Sequence, residues 1–296
     1  MYDVIIIGGG PAGLSAAVYA ARACLSVLLL ERQAMGGGQI LNTADVDNYL
    51  GIPGINGFEL GQKFVEHVKR LGIEPVTEEV TRIDCTGDIK RVITAKQEYE
   101  AKALIYAAGA GHKKLGIPGE EAFAGSGVSY CATCDGAFFR GRTTVVIGGG
   151  DVALEDALFL ANICEKVYLM HRRDTFRGAR SLVERVKAQE RIELILEAVP
   201  EEIAGDGVVQ KLLYLDKKSG SRSELAVDGV FIAVGMTPHT QLLEGQVATD
   251  GSGYIIAGED CRTSVDGVFA VGDVRTKRVR QIVTAVSDGA VAVAQL

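Results

Sequence analysis

Two stretches of this chain repeat one another without a gap. Residues 4–32, VIIIGGGPAGLSAAVYAARACLSVLLLER, align with residues 144–172, TVVIGGGDVALEDALFLANICEKVYLMHR, at an offset of 140. Each reads as a buried strand, a glycine turn, an amphipathic helix and a second buried strand. The strands are apolar on both faces, as parallel strands covered by helices must be. Small residues early in each helix (Ala12, Gly13, Ala16, Ala17; Ala153, Ala157) let it lie close to the sheet. With 296 residues the chain has room for two domains. The expected fold class is α/β, with two nucleotide-binding, Rossmann-like, three-layer domains.

A lone GxGxxG is a weak signal, but here each match follows a strand and opens a helix. Each is also answered by a polar residue 23 positions after its first glycine, Gly8 to Glu31 and Gly148 to His171. Gly8, Gly10 and Gly13 suit a tight turn, a pyrophosphate approach and helix packing. In the second unit Gly148 and Gly150 are followed by Ala153, the smallest substitute at the packing position. In both, backbone N–H groups at a helix N-terminus face a pyrophosphate.

The two answering positions differ chemically. Glu31 offers a carboxylate that accepts from ribose hydroxyls and repels a 2′-phosphate. The second unit offers HRRDTFR, with His171, Arg172, Arg173 and Arg177, and guanidinium forks suit a phosphate dianion. These residues assign an unphosphorylated adenosine to the first unit and NADPH to the second. GVFAVGDV (267–274) is a strand ending in Gly-Asp before a helix start, which can set Asp273 on a flavin ribityl chain, so the first unit is expected to hold FAD. LIYAAGAG (104–111) and VFIAVGMTP (230–238) also end in small residues, and the segments after them read as hinges at 113–119 and 235–241. The NADPH-binding domain, 115–241, is then inserted into the FAD-binding domain, 1–114 plus 242–296.

Composition excludes other classes. The net charge is −7 with no basic run, which leaves no footprint for nucleic acid or an anionic membrane. The first apolar stretch is broken by GGGPAG after four residues and has no basic flank, so neither a targeting segment nor a membrane span is expected. Of six cysteines, Cys24, Cys85, Cys164 and Cys261 are scattered and read as small apolar fillers. Such usage suits a cytoplasmic protein with one special dithiol, Cys131-Ala132-Thr133-Cys134. Three readings compete for it. A structural zinc site wants four ligands, and one pair with no neighbouring His does not supply them. Two inert buried thiols and a redox disulfide remain, and the second is favoured, because this spacing closes a small loop. Asp135 is a candidate proton donor or acceptor, since dithiol chemistry moves protons with electrons, or else a cap or turn residue. Phe138 and Phe139 read as core.

The combination of GGGPAG (8–13), GVSYCATCDG (127–136), VIGGGDVALEDALFLA (146–161), HRRDTFR (171–177) and GVFAVGDV with RQIVTA (280–285) closely resembles the low-molecular-weight, bacterial-type thioredoxin reductases. The resemblance runs in order over essentially the whole chain. It implies a homodimeric flavoenzyme in which NADPH reduces FAD, FAD reduces the Cys131–Cys134 disulfide, and the dithiol reduces a thioredoxin-like protein. It implies that Cys134 faces the flavin and that Asp135 is the acid. It carries FAD contacts over to Gly8, Gly10, Pro11, Ala12, Gly13, Glu31, Gly38, Gln39, Asn48, Gly272, Asp273, Arg280, Gln281 and Ile282. NADPH contacts carry over to Gly149, Gly150, Asp151, Ala153, Arg172, Arg173 and Arg177. It also implies a rotation of the small domain, so that nicotinamide and dithiol visit the flavin in turn.

Three positions depart from the pattern. Val152 stands where relatives often carry Ser or Thr, and the lost hydroxyl donor weakens NADPH binding by roughly 1 kcal/mol. Ser126 and Ala137 stand where relatives have Arg or an aromatic, near the surface used for the protein partner. The chain also stops at AVAVAQL (290–296), inside what reads as its last helix. The rival reading is a relative with another donor or acceptor, such as a ferredoxin-linked reductase, a thiol oxidase or a peroxidase-system reductase. A non-catalytic FAD-binding sensor is a different class again.

Overall fold

The computed structural model describes residues 1–43 and 46–296. The chain forms two compact units, Met1–Gly111 with Thr237–Leu296, and His112–Met236. They part at 111/112 and 236/237, where the sequence placed 114/115 and 241/242. The crossings are two short strands, Ala110–His112 and Met236–Pro238, that pair in a sheet of their own.

In the first unit, strand Tyr2–Ile7 lies between Val27–Glu31 and Glu98–Tyr106, parallel to both, with Val4 opposite Val27 and Ala103. The nine-residue strand Glu98–Tyr106 is shared along its length. Its first half pairs antiparallel with Lys90–Thr94, and its last residues pair parallel with Val268–Ala270. Side chains alternate across this sheet. Val4, Ile6, Leu29 and Ile105 meet helices Pro11–Arg22 and Ile282–Val293 on one face. Ile5, Ile7, Leu28, Leu30, Leu104 and Tyr106 form the other face. Among the described residues that second face is covered by no α-helix. Ile83 and Val92 of an antiparallel hairpin and the irregular run from Leu243 to Ala257 cover it instead. Apolar strands on both faces therefore required cover, but not helical cover.

The second unit repeats the plan. Five parallel strands run in the order Ile192–Leu196, Lys166–His171, Thr143–Gly148, Gly229–Ala233, Val128–Ser129. Helices Asp151–Ala161 and Arg180–Ala188 cover one face. A three-stranded antiparallel sheet, Ala198–Asp206, Val208–Asp216 and Arg222–Ala226, covers the other. In both units one central strand, Tyr2–Ile7 in the first and Thr143–Gly148 in the second, opens at its C-terminal end into a glycine turn.

Candidate active site

In the first unit the strand ends at Ile7, Gly8 takes φ +107°, and Gly10 is the extended N-cap of the helix that begins at Pro11. The turn admits no side chain at two places. A Cβ on Gly8 would strike Ala107 O, and one on Gly13 would strike Gly8 O. Gly10 is different, because only Gly38 Cα comes near, at 3.9 Å, and the space before it is open. Glu31, at the end of the next strand, accepts from Gly9 N–H at 2.5 Å and from Gln33 N–H at 2.8 Å. Gln39 Nε2 donates to Ala110 O. The C-terminal segment closes on this turn. Gly272 (φ +75°) sits against Ala12, and Asn48 Nδ2 donates to Gln281 Oε1 at 3.1 Å. Gln281 is the N-cap of helix Ile282–Val293 and forms a capping box with Thr284. The Arg280 guanidinium lies 4.1 Å from the Tyr254 ring centre.

In the second unit, Gly150 is the extended N-cap of helix Asp151–Ala161, and nothing lies within 4 Å of a Cβ placed on it. Ala153 packs on Gly148. Arg177 N–H donates to Gly149 O at 2.7 Å, which draws the arginine segment onto the turn. Asp151 Oδ1 accepts from Ala179 N–H at 2.6 Å. The His171 ring covers Gly149 and stacks on Phe176, 5.5 Å away. Burial, aided by Arg177, Arg172 and Arg173, pushes the imidazole below its usual value and favours its neutral form. Arg172, Arg173 and Arg177 are exposed, and none of their side chains has an ion-pair partner among the described residues.

Three buried side-chain polar atoms have no hydrogen-bond partner among the described residues: Asp273 Oδ1, Arg280 Nε and His171 Nε2. All three belong to the two glycine-turn clusters. Orphans of this kind are costly and rare in a folded interior, so they mark where an absent group bonds. An open glycine cradle beside a buried unpartnered carboxylate fits FAD. A second cradle beside unpaired guanidinium groups fits NADPH. Burial pushes the Asp273 carboxyl up, against Lys277 and Arg280.

Cys131 and Cys134 form a disulfide, with S–S 2.09 Å and Cα atoms 5.3 Å apart. Cys131 is the N-cap of a single helical turn, Ala132–Asp135. Gly136 seats that turn on the helix Asp151–Ala161, where a Cβ would come within 3.0 Å of Leu160 and 3.1 Å of Phe159. Ser129 ties both ends of the motif. Its Oγ donates to Asp135 Oδ2 at 2.6 Å and accepts from Cys131 N–H at 3.0 Å. Burial raises the Asp135 carboxyl above the ordinary aspartate range, and the Ser129 bond opposes the rise.

The family model for pyridine nucleotide-disulphide oxidoreductases matches residues 2–289. The thioredoxin reductase of Listeria monocytogenes is 45% identical over 293 residues, 99% of this chain and 92% of that one. The chain belongs to the thioredoxin reductase family of pyridine nucleotide-disulphide oxidoreductases. The Bacillus subtilis thioredoxin reductase shows the same identity and coverage. The crystal structure of thioredoxin reductase from Streptococcus pyogenes superposes with a TM-score of 0.94 at 46% identity, covering 100% of this chain and 96% of that chain. The two-domain Rossmann-like fold of that family is thus the fold of this chain. No helix among the described residues is long and apolar enough to cross a membrane.

Two sequence expectations need correction. Cys24 is exposed, because it takes the left-handed conformation (φ +57°) that ends the first helix. Cys85, Cys164 and Cys261 are buried as expected. Phe139 packs on Phe231, but Phe138 is 52% exposed, because the tight turn Gly136–Phe139 aims successive side chains in different directions. Sequence reasoning also missed Asp288. Its carboxylate receives Arg275 Nη2 at 2.7 Å, Arg275 Nε at 2.9 Å, Lys277 Nζ at 2.8 Å and Gly272 N–H at 2.9 Å. The signal was available. A lone carboxylate in the otherwise apolar helix IVTAVSDGAVAV must be paired if it faces the core.

Proposed function

We infer that the protein is an NADPH-dependent thioredoxin-disulfide reductase, a flavoprotein whose Cys131–Cys134 disulfide is reduced and then reduces a thioredoxin. The observation that carries the reading is the Cys131–Cys134 disulfide sharing a compact unit with a glycine turn and three exposed arginines that have no ion-pair partner among the described residues. When bound, FAD supplies the two-electron carrier between NADPH and the disulfide.

The first unit, 1–111 with 237–296, is the FAD-binding domain. Gly8, Gly10, Pro11, Ala12 and Gly13 bring the backbone onto the pyrophosphate. Glu31 holds the ribose. Each of its oxygens accepts one backbone N–H and keeps a lone pair for a hydroxyl. Gly38, Gln39 and Asn48 flank the same site. Gly272 lets the chain approach, Asp273 binds the ribityl chain, and Arg280, Gln281 and Ile282 close the site. The second unit, 112–236, is the NADPH-binding domain. Gly149, Gly150, Asp151 and Ala153 form its pyrophosphate turn, and Arg172, Arg173 and Arg177 bind the 2′-phosphate. Val152, 60% exposed at this turn, brings no hydroxyl to it.

Cys131, Cys134 and Asp135 are the catalytic residues. Reduction of the disulfide takes two electrons and two protons. Asp135, its carboxyl raised by burial, supplies one proton to the Cys134 sulfur as the bond opens, and solvent supplies the other to Cys131. The resulting dithiol reduces the partner by thiol–disulfide exchange through a mixed disulfide, which returns Cys131–Cys134 to the oxidised form. Ser126, Ala137 and Phe138, all exposed, flank that exchange. The working form is a cytoplasmic homodimer, which light scattering on the purified protein tests.

The experiment is anaerobic bleaching of the yellow protein by NADPH against NADH, followed by turnover on a panel of thioredoxin-like proteins. NADPH should bleach it far faster and thioredoxin should be reduced. Colourless protein that takes up no flavin overturns the reading.

A further inference from the structure

Glu120 is 1% exposed, yet it carries a carboxylate and lies far in sequence from both nucleotide-type glycine turns. Three donors converge on it. Leu115 N–H reaches Oε1 at 3.0 Å, Gly116 N–H reaches Oε2 at 2.7 Å, and the Tyr130 hydroxyl reaches Oε1 at 2.7 Å. Leu115 and Gly116 lie in the first segment after the chain crosses into the dithiol unit. Tyr130 immediately precedes Cys131. The ring of Tyr130 is held on its face as well, stacked on His112 at 5.2 Å with the planes 28° apart. His112 is the first residue of that unit. One side chain next to the redox disulfide is therefore gripped at its hydroxyl and at its ring, both times by the segment 112–120.

A buried carboxylate is tolerated only when its hydrogen bonds are met, and each of these three depends on the segments keeping their places. Moving Tyr130 leaves Oε1 short of a donor. Moving residues 115–116 orphans two backbone N–H groups. The cluster accordingly opposes displacement of Tyr130, and through one peptide bond it opposes displacement of Cys131.

We propose that Glu120 is a positioning residue for the redox centre, its carboxylate locking Tyr130 to the segment that enters the dithiol unit and so holding Cys131 where the disulfide closes. The proposal rests on the reading of Cys131–Cys134 as the redox pair. It assigns Glu120 no contact with substrate or cofactor.

The test uses full-length holoprotein and two variants, Glu120→Gln and Tyr130→Phe. Glu120→Gln turns one acceptor into a donor facing N–H or O–H. Tyr130→Phe keeps the ring on His112 and deletes only the hydroxyl, so it remains informative if the first variant folds poorly. The variants are equilibrated anaerobically with glutathione buffers, and the oxidised fraction of Cys131–Cys134 is read by alkylation and mass spectrometry. Because the contact holds Cys131 where the disulfide closes, its loss should shift the dithiol–disulfide equilibrium toward the dithiol by up to about ten-fold, the worth of a hydrogen bond to a charged group. The rate of flavin bleaching by NADPH stays at the wild-type value. The double variant shifts the equilibrium no further than the larger single shift, because both changes break one contact. A wild-type equilibrium in Tyr130→Phe, a shift toward the disulfide, or additive shifts in the double variant would overturn the proposal. Failure of NADPH to reduce the wild-type disulfide at all would instead overturn the functional reading.

Discussion

The backbone N–H of Gly9 donates to the Glu31 carboxylate across 2.5 Å, and at the equivalent place in the second repeat Gly149 meets the ring of His171. One repeated turn thus ends in a carboxylate and the other in a ring that burial keeps neutral, followed by arginines. In the proposed function that exchange sets which nucleotide each turn accepts, since a carboxylate repels a 2′-phosphate that a guanidinium fork binds.

The arginine prediction follows directly. Arg172→Ala with Arg173→Ala removes charge-assisted bonds worth about 1.5–3 kcal/mol each, so kcat/KM for NADPH should fall about a hundred-fold or more. NADH should be nearly unaffected. Steady-state kinetics with both nucleotides check this, and an equal loss for the two would remove the 2′-phosphate assignment.

Cys134→Ser separates the two half-reactions. The flavin should still bleach with NADPH, because both nucleotide turns are intact, while reduction of a disulfide partner should vanish. Turnover that survived would assign the work to another thiol. Among the buried ones, Cys164 lies in the same unit.

Ser129 gives a pH signature. Its hydroxyl donates to Asp135 and holds that carboxyl down against burial. In Ser129→Ala the opposing bond is gone, so the Asp135 carboxyl rises further. A proton donor works in its protonated form, so the loss of disulfide reduction with rising pH should move to higher pH in this variant. Asp135→Asn should abolish that limb. A limb that stays put in Ser129→Ala excludes Asp135 as the acid.

Asp288 predicts stability. Burial pushes its carboxyl up, but Arg275 and Lys277 outweigh burial and hold it below the ordinary aspartate value. A depressed carboxyl stabilises the fold above its unfolded pKa, about 4, and the contribution is lost as pH falls through the folded value. Wild-type Tm should therefore drop below about pH 4, and Asp288→Asn should show a flatter acid limb. At neutral pH the variant leaves two buried cations without a full partner, at a cost of about 3–5 kcal/mol. It also leaves a single oxygen for Gly272 N–H to share with the two cations, so FAD affinity, read by flavin fluorescence on dilution, should weaken. An unchanged Tm would contradict the ion cluster.

The glycine turns were legible because their constraints are local. Gly8 and Gly13 are demanded by a backbone that doubles back within six residues, and Gly10 leaves the space before the helix open. Glu31 and His171 follow at a distance fixed by the lengths of one helix and one strand. The disulfide was legible for the same reason, as its partners stand three residues apart. Cys24 was misjudged because a helix end can turn a small apolar side chain outward.

The amino-acid order alone determined the two repeats, the chemistry of their answering positions and the dithiol, since steric rules acting over a few residues settle each of them. Only the tertiary structure decided that Asp288 gathers Arg275 and Lys277, that Glu120 grips Tyr130, and that hairpins rather than helices cover one sheet face. Those outcomes depend on which distant groups arrive together in the interior, where a charge persists only with a partner and local spacing does not specify which partner it will be.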